Sequence, residues 1–360
     1  MSRLNLEHQR KRARALLNGV RRRDAEALLR VTRAGAADAN ALALHDAQLV
    51  IAREHGFTSW SKLKAQIGSD SVKRPLLLAA RLMAANRAAE TMRREPLYRD
   101  PLAGDLAGDE GWAALEAVRQ SSWPGYSSGP DPYLTILTRF FDEALIEAVR
   151  TATITQVVIV GAGMDTRAFR LTWPSGVHLF EVDTADVFAY KEAILHRLDA
   201  QAQCQRHTSC TRSYASLARA LRRAHFDPTR PAAFLIERLQ YLRPERADRL
   251  LRELSALASE SSWIGLALVS RETLHSNFME PYLRKLEAVG LPPWTFGVDD
   301  PEAWLAQYGW KASSVVAGAP EASYGRWPYA YIPRGTPAIP RGFLTVGWKT
   351  REEDSWPSSR

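Results

Sequence analysis

At 360 residues, 46% hydrophobic and 24% charged, the chain is long enough for one full-sized core and a small accessory module. No run approaches about 18 apolar residues, which excludes a membrane-spanning helix. The basic opening MSRLNLEHQRKR has no apolar stretch behind it, so the expected location is cytoplasmic.

The net charge is +8, and residues 1–70 carry 13 Lys/Arg against 7 Asp/Glu. No aromatic or nucleic-acid motif accompanies Arg21, Arg22 and Arg23, so a solvated helix face is favoured over a nucleic-acid patch. Leu16, Leu17 and Val20 recur at helical spacing, as do Ala27, Leu28, Leu29 and Val31. A further helix over 43–55 is closed by Gly56, and Ser59 is placed to cap a short one containing Trp60 and Leu63. The stretch AQLVIAREHGFTSWSKLK resembles a helical segment attached to bacterial ankyrin-repeat proteins. Residues 1–70 are read as a small helical module for packing or for recognising a partner, with Gly68-Ser69-Asp70-Ser71 as linker.

Residues 75–150 read as helices and loops, broken by Pro96 and Pro101, with a Gly/Pro/Ser-rich lid candidate at 123–132 and a helix over 133–149. From 151 to 350 strands and helices alternate. The β-branched run from Gln156 to Val160 fits a strand buried on both faces. Strands at 177–182, 233–236 and 263–269 follow. The alternation implies an α/β fold: a doubly wound, mostly parallel seven-stranded Rossmann-like sheet with helices on both faces. Residues 343–348 are expected to form a last, antiparallel edge strand, and 351–360 a polar tail. The two cysteines, Cys204 and Cys210, have no zinc-site spacing, and a disulfide is not expected.

The chemistry concentrates at Gly161-Ala162-Gly163-Met164-Asp165-Thr166-Arg167, directly after the first buried strand. Glycine permits a sharp turn and close approach to a ligand. A dinucleotide fingerprint needs a third glycine where Thr166 stands, so a pyrophosphate cradle is not indicated. S-adenosylmethionine (SAM) carries no phosphate and does not need that glycine. Asp183, twenty residues after Gly163, is positioned to accept bonds from ribose hydroxyls. This reading requires a cleft between turn and aspartate with room for a nucleoside.

VVIVGAGMDTRAFRLTWPSGVHLFEVDTADVFAYK resembles the SAM-binding core of leucine carboxyl methyltransferases and their bacterial relatives, many of which act in natural-product pathways. NRAAETMRREPLYRDPLAGDLAG, GPDPYLTILTRFFDEAL, FDPTRPAAFLIERLQYL, DDPEAWLAQYGW and the YGRW…IPRGFLTVGW region extend the likeness over roughly residues 80–350. The resemblance implies that Arg139 lies near the methionine carboxylate, where a charge-assisted bond would hold it. It implies that Gly161 and Gly163 line the cofactor, that Asp183 binds ribose and that Glu237 marks the methyl side. Asp165 and Arg167 are read as bracing the turn, and Lys191 as snorkelling on a helix.

Three departures stand against the family pattern. An Asp-Leu pair expected on the adenine side is replaced by Arg212-Ser213, and arginine has only donors. Ser209 or Ser213 is left as a hydroxyl acceptor. Glu-Gly-Leu becomes Glu237-Arg238-Leu239, which sets a cation where the sulfonium methyl is expected. The segment up to Tyr241-Leu242 is also one residue short.

The expected reaction is in-line attack by an oxygen, in the first place a carboxylate of a small molecule or peptide, on the SAM methyl group. A carboxylate is ionised at neutral pH and needs no base, so catalysis rests on proximity and desolvation. Arg326, with Arg334 and Arg341, is a candidate to orient it, and Tyr241 a candidate cavity wall or acid. Two alternatives stay open. One is a repurposed, non-methylating enzyme of cyclase or isomerase type, suggested by Arg212 and Arg238. The other is a binding protein that docks a partner through residues 1–70.

Overall fold

The computed structural model describes residues 6–35, 42–120, 129–211 and 216–350, with the backbone alone over 65–74. The chain divides into two units, Met1–Pro75 and Leu76–Arg360.

In the first unit, α1 (Leu6–Arg21), α2 (Ala25–Arg33) and α3 (Leu44–Glu54) precede the start of α4 (Trp60–Thr91). Leu16, Val20, Val31, Val50, Ile51 and Leu63 form its apolar core. Asp24 caps α2 by accepting from the Ala27 amide at 2.8 Å, and Ser59 accepts from Lys62 N at 3.2 Å. Arg12 and Arg30 converge on Glu54. The expected linker is instead helix: residues 68–71 lie within α4, as does Pro75. Helical neighbours on both sides override the weak local propensity of Gly, Ser and Asp.

In the second unit α4 is followed by α5 (Ala103–Arg119) and α6 (Pro132–Thr151). Asp131 caps α6 through the Leu134 amide. Then come β1 (Gln156–Val160), α7 (Arg167–Arg170), β2 (His178–Asp183), α8 (Ala185–Arg197), β3 (Gln205–Cys210), α9 (Leu217–Arg223) and β4 (Ala232–Ile236). The remainder is α10 (Pro244–Leu257), β5 (Trp263–Val269), α11 (Arg271–His275), α12 (Glu280–Ala288), α13 (Pro301–Ala306), β6 (Trp310–Val316) and β7 (Gly342–Lys349).

The seven strands run in the order β3-β2-β1-β4-β5-β7-β6. The first five pair in parallel, while β7 is antiparallel to both β5 and β6. The sheet is therefore mixed, and β7 lies inside it, not at its edge as expected. The edge is β6, whose half-buried, serine-containing run gives little apolar signal in the sequence. Alternation sorts β1 between two cores: Val158 and Val160 pack with α9 and α10, Val157 and Ile159 with α6. From β1 the chain winds one way to β2 and β3, then returns to β4 on the other side. The carboxyl ends of β1 and β4 therefore flank a topological switch point, where ligands of such sheets bind.

The lid candidate at 123–132 is described only from Gly129, Arg212-Ser213 lies outside the described residues, and so does the tail 351–360.

Candidate functional site

Gly161 and Gly163 leave β1 with φ of +66° and +50°, in the left-handed region that side chains disfavour. The amides of Gly161 and Ala162 both donate to the Val182 carbonyl, at 2.8 and 3.1 Å, which folds the turn onto the end of β2. Asp183 closes it: Oδ2 accepts from Gly163 N at 2.8 Å and Oδ1 from Thr184 N at 2.7 Å. Both carboxylate oxygens are thus oriented by backbone amides.

Behind the turn lies a buried charge network centred on Arg167, whose side chain is 2% exposed. Its Nε donates to Asp142 Oδ1 at 2.9 Å and its Nη2 to Glu237 Oε1 at 2.6 Å, while Nη1 binds Asp165 Oδ2. Arg170 holds Asp142 with two bonds, at 2.5 and 2.8 Å. Burial opposes ionisation of Asp165, but the guanidinium of Arg167, with Lys191, Arg87 and Arg170, outweighs it and holds the carboxyl down at about 2. Burial raises the Glu237 carboxyl above its ordinary value despite the opposing Arg167 cation. Asp165 therefore braces the loop through Arg167.

The motifs did not single out Arg87 and Asp100. Arg87 donates to Asp100 Oδ2 at 2.7 Å and to the Met164 carbonyl, and Thr166 donates to the same Asp100 oxygen at 2.6 Å. The order of the segments NRAAE and then DPLA is the one sequence signal that bears on this pair.

Lys191, expected to snorkel, is fully buried and donates to Glu181 Oε2 at 2.6 Å. Glu181 is itself fully buried and also paired with Arg206. A helix facing the sheet leaves that side chain no route to solvent.

The structure brings Gly161, Gly163, Asp165, Asp183 and Glu237 together around one cleft, and Arg238 with them. Arg139 donates to the Leu97 carbonyl at 3.0 Å and pairs with Glu143 one turn on. Tyr241 packs edge-on against Trp294, with ring centroids 6.4 Å apart, and burial raises its hydroxyl above the ordinary value. Arg326 binds Glu90 and the Glu95 carbonyl, beside a different pocket. Arg334 is paired with Glu302, and Arg341 is committed to the carbonyls of Pro333, Thr336 and Ile339.

A second cavity, of about 420 Å³, is mostly apolar. Tyr133, Tyr282, Trp294, Trp327 and Tyr329 are among its walls. Tyr133 is close enough to Glu237 to be influenced by its charge, and Tyr282 donates to Asp131 at 3.2 Å.

A model of the leucine carboxyl methyltransferase family matches residues 80–255. A Frankia alni protein, provisionally named an S-adenosyl-L-methionine-dependent methyltransferase, is 35% identical over 256 residues, 68% of this chain and 85% of its own. A Streptomyces avermitilis protein with the same provisional name is 34% identical over 260 residues, 68% of this chain and 86% of its own. The chain belongs to the leucine carboxyl methyltransferase family. Among solved structures, a DUF574 family protein from Streptomyces avermitilis matches with a TM-score of 0.51 at 15% identity, over 76% of this chain and 97% of that one. That likeness bears on the fold, which is the Rossmann-like fold of class I methyltransferases.

SAM is the cofactor for which the family's relatives are named, and the site can be tested against it. The frame fits. The turn is tight and Asp183 is fixed beside it by the Gly163 amide, while a Cβ at Gly163 would meet Ala80 Cβ of α4 at 2.8 Å, so glycine is what lets the helix pack against the turn. Ser209, on β3 opposite Val182, has a buried hydroxyl without a partner among the described residues. The filling does not fit. Arg238 Nη2 donates to the Gly161 carbonyl and stands 3.3 Å from Asp183 Oδ2. About 20 Å³ remains open, close to one water, where small-molecule pockets span roughly 300–1,000 Å³. The room for a nucleoside that the sequence leads one to expect is filled by Arg238 together with α4 residues, Ala80 pressing on Gly163.

Proposed function

We propose that this family member transfers a methyl group from SAM to an oxygen, in the first place a carboxylate, of a small apolar acceptor, and that Arg238 must swing out before the cofactor enters. The observation that carries the reading is that Tyr133, a wall of the aromatic cavity of about 420 Å³, lies close enough to Glu237 at the cleft to feel its charge. An arginine side chain rotates on a flexible stem, so the plug is removable while the frame is fixed by backbone.

When bound, SAM supplies an electrophilic methyl on a sulfonium. The chain's own residues supply the rest. Asp183, with both oxygens oriented by backbone amides, accepts from the ribose hydroxyls once Arg238 releases it. Arg238 carries one positive charge, and so does SAM, so a cation leaves as a cation enters and the charge of the cleft is conserved. Tyr133, Tyr282 and Trp294 wall the acceptor against water, which favours attack by a desolvated oxygen. Tyr241, whose burial keeps its proton on, braces Trp294 from behind.

Incubation with methyl-tritiated SAM and a panel of aromatic and aliphatic carboxylic acids tests this. Label is expected in a base-labile ester, more with Arg238→Gly than with the native chain. Failure of both proteins to label any acid while binding SAM rejects the carboxylate acceptor.

The plugged cleft also favours a second reading, a family member that keeps the fold and no longer uses SAM. It is the correct one if neither the native chain nor Arg238→Gly binds SAM.

A further inference from the structure

A further cavity, of about 610 Å³, is arginine-lined, and the methyl-transfer reading above assigns it no part. Arg93 and Arg94 come from the segment after α4, Arg119 from the last turn of α5, and Arg326 from the segment before β7. Glu90 is the carboxylate that Arg326 and Arg93 approach. It is fully buried, accepts Arg326 at 2.9 Å and the Leu97 amide at 2.9 Å, and lies 3.7 Å from Arg93. Among the described residues Arg94 forms no ion pair or hydrogen bond, and the Nε of Arg119 is buried with no acceptor. Burial lowers the Arg119 guanidinium from its ordinary value. Glu116, one turn earlier, attracts it without forming a salt bridge. A buried donor without an acceptor is costly, so its retention calls for a partner.

The same cavity has an apolar wall. Trp112 stands two turns before Arg119 on one face of α5, and Met92 at the rim is 73% exposed. A concave site with four guanidiniums against two carboxylates, Glu90 and Glu116, focuses a positive potential. Two residual cations exceed what one carboxylate would neutralise, while a diphosphate supplies several charged oxygens matched to the guanidinium fork.

We propose that this pocket binds an organic phosphate, with its charged groups on Arg94 and Arg119 and a flat or apolar body against Trp112. The site is separate from the cofactor cleft and does not depend on the methyltransferase reading.

Calorimetric titration of the full chain with ADP and with inorganic pyrophosphate tests the proposal. ADP is expected to bind with a Kd below about 1 mM, and more weakly as salt is raised from about 50 to about 200 mM. Arg94→Gln and Arg119→Gln should each weaken ADP at least about tenfold, in line with loss of a charge-assisted bond. Arg94 is exposed, so its variant keeps the fold even if the Arg119 variant does not. Arg223→Gln, an exposed arginine on α9, should change nothing. Trp112→Ala should bring ADP down to the affinity of pyrophosphate. Absence of ADP binding, binding that survives Arg94→Gln, or equal binding of ADP and pyrophosphate by the native chain each overturns the proposal.

Discussion

Arg238 Nη2 reaches Asp183 Oδ2 at 3.3 Å while also donating to the Gly161 carbonyl, so one guanidinium joins the two halves of the frame that the fold builds for a cofactor. A glycine at position 238, as the family pattern has it, could form neither contact. The consequence is competition: whatever binds Asp183 must first displace a side chain of the same molecule.

The Arg167 network gives a stability prediction. Replacing Arg167 by Met leaves Asp142, Asp165 and Glu237 without their shared cation in a buried setting. Breaking a buried ion pair from one side costs about 3–5 kcal/mol, and chemical denaturation should show a loss of that size. A change below about 1 kcal/mol, typical of an exposed pair, would contradict the role given to this residue.

Acid stability follows from two carboxylates of opposite sign. Asp165 is held at about 2 when folded, below its unfolded value, so its contribution is complete above about pH 4 and is lost as pH falls toward 2. Glu237 is raised by burial, so its protonation favours the fold as pH falls from neutral toward the ordinary glutamate value. Urea midpoints measured from pH 7 to 2 should show Asp165→Asn flattening the lower limb by up to about 1.4 kcal/mol per pH unit. Glu237→Gln should flatten the upper one. An unchanged lower limb in Asp165→Asn would remove the assignment.

Lys191 supplies a control that separates stability from binding. Lys191→Met strips the cation from fully buried Glu181, leaving Arg206 alone to compensate, and should destabilise by about 2–4 kcal/mol. Ligand binding at 15 °C should change little, because the pair's side chains bond to each other and to Arg206, and Lys191 acts on the cleft through its charge on Asp165 and not by a hydrogen bond. Loss of binding in a fully folded variant would mean that the cleft extends further than described.

The acceptor cavity predicts a split between kinetic constants. Tyr282→Ala removes an aromatic wall and the bond to Asp131, and should raise KM for an apolar acid by about tenfold while SAM affinity stays the same. Equal loss of SAM affinity would place Tyr282 at the cofactor instead.

Much of the fold and of the cofactor frame is legible in the sequence. The β-branched run at β1, the glycine turn and Asp183 twenty residues on are local patterns, and their placement follows from strand, turn and strand in order. Arg238 is legible as a departure, but its destination is not. The contact with Asp183 depends on β4 lying beside β1, a long-range pairing that no local period encodes. Lys191 departs from its expected place for a related reason: helical spacing does not reveal which face the sheet covers. The β6–β7 order is hidden because adjacent Ser313 and Ser314 interrupt the apolar alternation of β6, so its run resembles a loop.

The central claim is that Arg238 holds the cofactor cleft shut and competes with SAM for Asp183. Isothermal titration of SAM into the native chain, Arg238→Gly and the Arg238→Gly/Asp183→Ala double variant tests it most directly. The account predicts that Arg238→Gly binds SAM at least about tenfold more tightly than the native chain, about 1.4 kcal/mol, and that the double variant loses this gain. Equal or weaker binding by Arg238→Gly would contradict it.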